Sequence, residues 1–510
     1  MDFNTKTNEV TSKQKMYEGN VEQAIDSDIT MPEYFPDIVR ILKCSLSPQI
    51  ASISPSGDRV TAEGTAILSI LYISDDEKIH CFEQKIPFSR YLESKLAEGC
   101  TVTVAPKTDY VNCRVVSSRR IDIHASMTFN FKAYKKSSQK LICDCEGVGI
   151  EAKKQKFIIS NLSDYTEKPF QISETLEIGA SKPSIAQLIR SDAVAIIEDV
   201  KIVSGKILIK GELTIKTLYI SDDDTDELQR IENSMPISQI IEIETDNTES
   251  TDNINLYVAS LEVSAKTDSA GALRLLEMSA VLRAEIEMYQ DVQIEGIKDA
   301  YSTKYETEQK RENIDFKSIN EHFTDTYLCR GSIQTPSGNI TKIIDMSCAG
   351  ITKNIEFDDN EMAIKGTITL NLLASDEQNQ INYVERQFDY EYRRNLSVKT
   401  SSPECNPNVT VTGINYILSA DDKIDVRVEI FIGATVFNNQ SLNLITEIEI
   451  DEKKEKLGNP AALTIYFSEE GESVWEIARK YNTTVDAIMN DNKLTGEIVP
   501  EKCKLLIPRA

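Results

Sequence analysis

Apolar and polar residues alternate along much of the chain, most cleanly from Lys206 to Asp222, where Ile207, Ile209, Leu213 and Ile215 alternate with Lys210, Glu212, Thr214 and Lys216. A period of two predicts an extended strand with one face buried and the other wet. The same form recurs from Val60 to Asp75, centred on Gly64 and ending Leu71-Tyr72-Ile73-Ser74-Asp75. It recurs again from Ile364 to Asp376, centred on Gly366 and ending Leu372-Leu373-Ala374-Ser375-Asp376. Three copies predict three domains. Glycine weakens a strand interior, so Gly64, Gly211 and Gly366 predict a bulge or a close backbone approach. The Ser-Asp-Asp tails at Ser74 and Ser221 lack the alternate oxygen ligands and closing glutamate of a calcium loop and read as strand-end turns.

The repeat extends upstream in register. The same interval, 28 positions, separates Pro36 from Gly64, Pro183 from Gly211 and Gly338 from Gly366. A breaker, a polar cap candidate (Asp37, Ser184, Asn339) and apolar residues at i, i+3 and i+4 predict a short helix or turn over 36–42, 183–189 and 338–344, packed by one face. Downstream, Ile121-Asp122-Ile123, Leu276-Glu277-Met278 and Ile424-Asp425-Val426 open a second alternating strand in each copy. The repeat is therefore about 150 residues long, a domain rather than a solenoid unit. The division expected is 1–27 as an arm or leading strand, units over 28–160, 161–305 and 306–450, a charged linker over 451–462 and a module over 463–510. Tyr301 to Asp315 reads as the link between the second and third units.

Composition narrows the chemistry. A net charge of −26 spread along 510 residues argues against nucleic acid and anionic membrane surfaces as partners. The first fifteen residues lack an apolar signal region, and no apolar run is long enough to cross a bilayer, so a cytosolic protein is expected. The ten cysteines contain no CxxC pair, and Cys143-Asp144-Cys145 has no second pair to complete a zinc site, so ordinary reduced thiols are expected. The three histidines, His80, His124 and His322, stand beside no repeated nucleophile, and no phosphate-binding glycine motif occurs. These features predict a protein that is not an enzyme and needs no cofactor or metal.

Beyond Leu463 the period changes. Leu463 to Phe467 reads as a strand, and Ser473 with Glu476 as a capping box opening a helix whose buried stripe is Val474, Ile477, Ala478 and Tyr481. Thr483 or Thr484 caps a second helix carrying Val485, Ile488 and Met489, and Leu505-Leu506-Ile507-Pro508 returns as a strand. This βααβ module resembles a LysM domain through Tyr466, Gly471-Glu472-Ser473-Val474-Trp475, Ile477-Ala478, Tyr481-Asn482-Thr483-Thr484, Ile488, Asn492, Leu494 and Leu505 to Pro508. Ser468 and Glu501-Lys502-Cys503 depart from the family pattern. The resemblance implies a groove for N-acetylglucosamine polymers formed by Gly471, Glu472, Ser473 and Val474 with Asp491, Asn492, Lys493 and Leu494.

With that module in place, the Pro-Asp-Ile segment at Pro36, the glycine-centred strand and the Leu-Tyr-Ile-Ser-Asp-Asp ending resemble the SPOCS domain of spore-forming Firmicutes. Tandem SPOCS units plus a C-terminal LysM domain resemble the SipL-like spore coat morphogenetic family of clostridia. The third copy is the most diverged, with Gly338-Asn339 for Pro-Asp and Ala374 for the tyrosine. The resemblance implies a mainly β fold, three SPOCS-like units with short helices and a small α+β LysM module. It also implies a non-enzymatic adaptor in the mother-cell cytoplasm, at the forespore surface and later in the coat, whose partners are the SpoIVA morphogenetic ATPase and other coat proteins. A cell-wall protein holding peptidoglycan is the alternative. Trp475, the one tryptophan, lies about 100° from Val474 around its helix and should be partly exposed, as a protein-binding anchor or as cover for a small core. Leu463, Phe467 and Lys480 are candidates for the same surface.

Overall fold

A computed structural model describes residues 4–93, 96, 99–223, 227–243, 250–334, 340–378, 380–419, 423–456 and 463–508. The first unit comprises β1 (Asn4–Thr30), β2 (Ile38–Ser56), β3 (Arg59–Ser74), β4 (Ile79–Glu93), β5 (Thr101–Ser117) and β6 (Arg120–Glu146). The second comprises β7 (Ile150–Glu177), β8 (Ile185–Val203), β9 (Lys206–Ser221), β10 (Leu228–Glu242), β11 (Thr251–Thr267) and β12 (Leu273–Ser302). The third runs through β13 (Tyr305–Gln334), β14 (Ile340–Asp358), β15 (Glu361–Asp376), β16 (Ile381–Asn395), β17 (Pro403–Cys405), β18 (Asn408–Ser419) and β19 (Lys423–Glu455). The last module is β20 (Leu463–Ser468), α1 (Val474–Tyr481), α2 (Val485–Asn492) and β21 (Cys503–Pro508). Each unit is a pair of antiparallel sheets, β2-β3-β4 with β1-β6-β5 and β8-β9-β10 with β7-β12-β11, matched in the third by β14-β15-β16 with β13 and β19. The alternating residues Ile207, Ile209, Leu213 and Ile215 are buried between the two sheets of their unit, against Leu276, Met278 and Ala280 of β12.

The short helices expected at 36–42 and 183–189 are not there. A turn precedes each segment, and Ile38 and Ile185 already begin strands. The third copy likewise begins its strand at Ile340, while Gly338 and Asn339 lie outside the described residues. The helical spacing has another cause. Register shifts fall between Ile38 and Arg40 and between Ile41 and Lys43, then between Ile185 and Gln187 and between Leu188 and Arg190. A third pair falls between Ile340 and Lys342 and between Ile343 and Asp345. Each β-bulge adds one residue to a two-residue repeat, so apolar side chains three apart share a face without a helix.

A further bulge in each copy meets the central glycine. A Cβ on Gly211 would lie 2.0 Å from the Ile196 carbonyl oxygen, one on Gly64 2.0 Å from that of Gln49, and one on Gly366 2.2 Å from that of Ile351. Backbone cannot yield as a side-chain tip can, so Gly211→Ala is expected to destabilise the chain by about 3 kcal/mol through overpacking. Gly179→Ala, with open space around it, should be near neutral. Urea midpoints of the two variants check this, and equal midpoints would refute the steric explanation.

The two ends of the repeated motif are joined by a hydrogen bond. The Tyr219 hydroxyl donates to the Pro183 carbonyl at 2.9 Å, and Tyr72 to that of Pro36 at 3.4 Å. Arg274 donates to the carbonyls of Lys182, Ile178 and Gly179 and Arg119 to those of Pro32 and Phe35, each clamping the turn in its own unit. The third copy has alanine at 374, where the first two have this tyrosine.

The first and last long strands of each unit do more than close the sandwiches. β1, β6, β7, β12, β13 and β19 are 27 to 33 residues long. Beyond bulges between Lys15 and Tyr17, Met288 and Tyr289, and Ile319 and Glu321, each pair continues as a two-stranded ribbon. The three ribbons meet in a shared core that includes Leu141, Phe157, Ile294, Phe316 and Leu444, followed by Cys145, Ala300 and Ile448. Farther out, Lys43 reaches Glu385 at 2.7 Å, Gln187 the Cys81 carbonyl at 2.9 Å and Arg190 Asp345 at 2.8 Å, so every unit touches the other two. Asn4–Thr30 is thus the leading strand of this assembly. Tyr301 to Asp315 is no linker: β12 ends at Ser302 and β13 begins at Tyr305. Asp451 to Glu455 still belong to β19, whereas 457–462 and 244–249 lie outside the described residues.

The thiols depart from expectation in one place. Cys44 and Cys113 are joined as a disulfide between β2 and β5, while the remaining cysteines, Cys143 and Cys145 included, are free. Cys143 stands at a bulge between β1 and β6 and bonds the Lys6 carbonyl, and Cys145 is buried, so the two thiols have different surroundings. Among the described residues no group of three or more His, Cys, Asp or Glu side chains could hold a metal ion.

Candidate functional site

The C-terminal module has the predicted βααβ order, with β20 and β21 antiparallel and both helices on one side of them. Ser473 occupies the N-cap position of α1 with extended backbone, but its side chain makes no capping bond, so the expected capping box is not formed. Its Oγ is buried without a partner. Thr484, not Thr483, caps α2 by accepting from the Ala487 amide at 3.1 Å. Asn482 and Lys493 end the helices in the left-handed conformation, which asparagine tolerates better than most residues.

Trp475 is 4 % exposed, against the partial exposure expected of it. Its place at the edge of the helix stripe is as predicted, but that edge is covered by the end of β12. The indole Nε1 donates to Asp299 at 2.9 Å, and the ring meets Tyr301 edge-on with centroids 5.0 Å apart. Arg479 and Arg311 bind the same carboxylate at 2.9 and 2.6 Å. The Tyr301 hydroxyl donates to the Thr483 carbonyl at 2.8 Å, and Tyr301 is buried among the core residues of the module. Burial together with Glu151 and Asp299 pushes its phenol above the usual tyrosine range. Lys456 beside the seam is held below the usual lysine value by burial and by Arg479. Lys153 faces Glu497 at 4.0 Å. The module is therefore seated on the tip of the ribbon core, with a desolvated carboxylate at the centre of the seam.

Leu463 and Phe467 lie elsewhere, together. They alternate with Thr464 and Tyr466 along β20, and their register partners on β21 are Pro508 and Lys504, while Ile465 faces Leu506. Leu463, Ile465 and Phe467 are 49, 59 and 65 % exposed, and Leu506 is exposed beside them. They form an apolar outer face on the side of the sheet away from the helices. Lys480 is not part of it: its ammonium lies 5.6 Å from the ring centroids of both Tyr466 and Tyr481, on the helical side. Ile465, which the sequence reading passed over, is the centre of this face. Alternation alone marked it, since it stands two residues from both Leu463 and Phe467.

The residues of the expected glycan groove are divided. Gly471 to Val474 pair through the backbone with Glu497 to Val499: Gly471 N donates to Val499 O, Val474 N to Glu497 O and Val499 N to Glu472 O, at 2.8 to 2.9 Å. The Glu472 carboxylate accepts from the Tyr466 hydroxyl and the Glu469 amide. Asn492 clamps α2 to β21 through two bonds with the Leu506 backbone, at 2.6 and 2.7 Å. Leu494 packs on the module core, and Asp491 and Lys493 are exposed.

Comparison with known families is consistent with this architecture. Residues 37–116 and 184–267 match the family described as SipL, SPOCS domain, and residues 469–508 match the LysM domain. The third unit repeats the sandwich without such a match. No curated protein and no solved structure matches the chain. Together the matches give a SipL-like arrangement, two SPOCS segments followed by a C-terminal LysM domain. Among the described residues no helix is long and apolar enough to cross a membrane.

Proposed function

We propose that this chain, SPOCS units ending in a LysM domain, is a non-enzymatic adaptor of spore morphogenesis. Its LysM domain binds a SpoIVA-type coat-anchoring ATPase, and the chain helps localise and encase the coat around the forespore from the mother-cell cytoplasm. One observation carries the reading: the outer face of Leu463, Ile465 and Phe467, which nothing in the LysM core requires. Burying each such side chain contributes about 1.5–3 kcal/mol, so a partner covering three of them gains an anchor of useful size. Trp475 enters this reading indirectly, by fixing which face the domain turns outward.

The test uses the purified full chain and the purified ATPase. Phe467→Glu combined with Ile465→Glu should weaken binding about 100-fold or more, by placing two charges in a desolvated contact. Both positions are exposed, so circular dichroism and the fluorescence of the lone tryptophan should not change. Undiminished binding would refute the assignment of this face. A parallel arm with insoluble peptidoglycan tests the second reading, which the LysM match favours. Strong sedimentation with the polymer and no affinity for the ATPase would replace the adaptor by a cell-wall or cortex protein.

A further inference from the structure

Where the three sandwiches face one another above the ribbon core, they leave an open cavity of about 970 Å³ lined by all three units. Its size is that of a small-molecule site. Tyr134, Tyr289 and Phe437 line it from equivalent places, each paired across its ribbon with the residue just before a bulge: Lys15, Leu162 and Ile319. One wall is the polar face of the second unit, where the cross-strand pairs Asn253–Glu287, Asn255–Glu285 and Tyr257–Arg283 lie side by side.

Most charges around the cavity are held in ion pairs. Lys13 meets Glu285 at 2.8 Å and Glu287 at 2.5 Å, Arg283 meets Glu167 at 3.1 Å and Lys317 meets Glu404 at 2.8 Å. An ionic ligand would have to compete with these ion pairs, whereas hydroxyl and amide groups find many fixed donors and acceptors. Tyr257 is 45 % exposed, yet the surrounding protein pushes its phenol well above the usual tyrosine range. Tyr257 lines the cavity, so part of its free surface is presented there. Aromatic faces together with paired acids, arginine and asparagines suit a ligand that is polar at its rim and apolar on its flat faces.

From this arrangement we infer that the cavity binds a short neutral saccharide, with a sugar ring stacked on Tyr257 and its hydroxyls bonded by Asn255, Glu285 and Arg283. This site is separate from the LysM groove and independent of the adaptor reading. The experiment is saturation-transfer NMR with calorimetry on the full chain, using cellotetraose, maltotetraose and tetra-N-acetylchitotetraose, with tetraalanine as the peptide control. At least one saccharide should bind, and Tyr257→Ala should weaken it by about tenfold or more. Asp491→Ala in the LysM groove should leave it unchanged. Failure of all three sugars, or binding lost with Asp491→Ala but kept with Tyr257→Ala, overturns the proposal. Preferential binding of the peptide overturns the ligand class. Unchanged urea midpoints for Tyr257→Ala will show that any loss is not unfolding.

Discussion

Asp299→Ala should free the LysM domain from the body of the protein while leaving both folded. The wild-type carboxylate accepts from the Trp475 indole, Arg479, Arg311 and the Ala300 amide. Truncation leaves the buried indole N–H and two partly exposed guanidinium groups without their shared acceptor. Breaking a buried ion pair by removing one partner costs about 3–5 kcal/mol, and the partial exposure of both arginines moves this case to about 2–3 kcal/mol. The readout is clean because Trp475 is the only tryptophan. Its emission should shift to the red and its quenching by acrylamide rise, with the strand signal in circular dichroism unchanged. Asp299→Asn, which keeps an acceptor for the indole but loses the charge, should lie between the two. Wild-type emission from Asp299→Ala would show that Tyr301 and the domain core hold the indole without the carboxylate.

Lys13→Met should have the largest effect on the body itself. The Lys13 ammonium bridges Glu285 and Glu287 across the boundary between the first and second units, and lies 4.1 and 4.2 Å from the ring centroids of Tyr134 and Tyr165. Burial alone would lower its proton affinity, but Glu287 and Glu285 outweigh burial and hold it above the usual lysine value. A raised lysine contributes its stabilisation in full below the unfolded pKa and loses it only as pH rises through the folded one. At neutral pH the contribution is therefore complete. Removing it leaves neighbouring carboxylates unpaired and should cost about 3–5 kcal/mol in urea unfolding. Adding Glu287→Gln to Lys13→Met should recover part of that loss, because one unpaired charge goes with it. An additive double variant would mean that the lysine acts through its aromatic neighbours alone.

Much of this fold was legible in the residues. The alternating strands, the three-fold repetition and the βααβ order all follow from periodicity, and the central glycines pointed to the close backbone approach now seen at Ile196 and its equivalents. Bulges defeated the reading of 36–42 and 183–189, since two closely spaced insertions turn a period of two into a spacing that imitates a helix. The ribbons were hidden for a related reason. Bulges at Cys143, Lys298 and Thr446 break the alternation, so Ile297 to Tyr301 does not look like a strand in the sequence.

The candidate site was legible in part. Leu463 and Phe467 share a face because they are two strand repeats apart, and local pattern suffices for that. Trp475 was correctly placed at the edge of its helix, but its cover comes from Asp299 and Tyr301, about 175 residues earlier, and no local pattern reports so distant a contact. The polar face of β12 likewise alternates as a solvated strand would, whereas the assembly of three units turns it toward a shared cavity.

The measurement closest to the central claim is co-purification of the unmodified full chain from sporulating cells, with bound proteins identified by mass spectrometry. An adaptor acting through the outer face of β20 should bring down the SpoIVA-type ATPase in near-stoichiometric amount and lose it when Ile465 and Phe467 carry charges. Recovery of the chain on insoluble peptidoglycan with no ATPase, whether or not that face is altered, would contradict it.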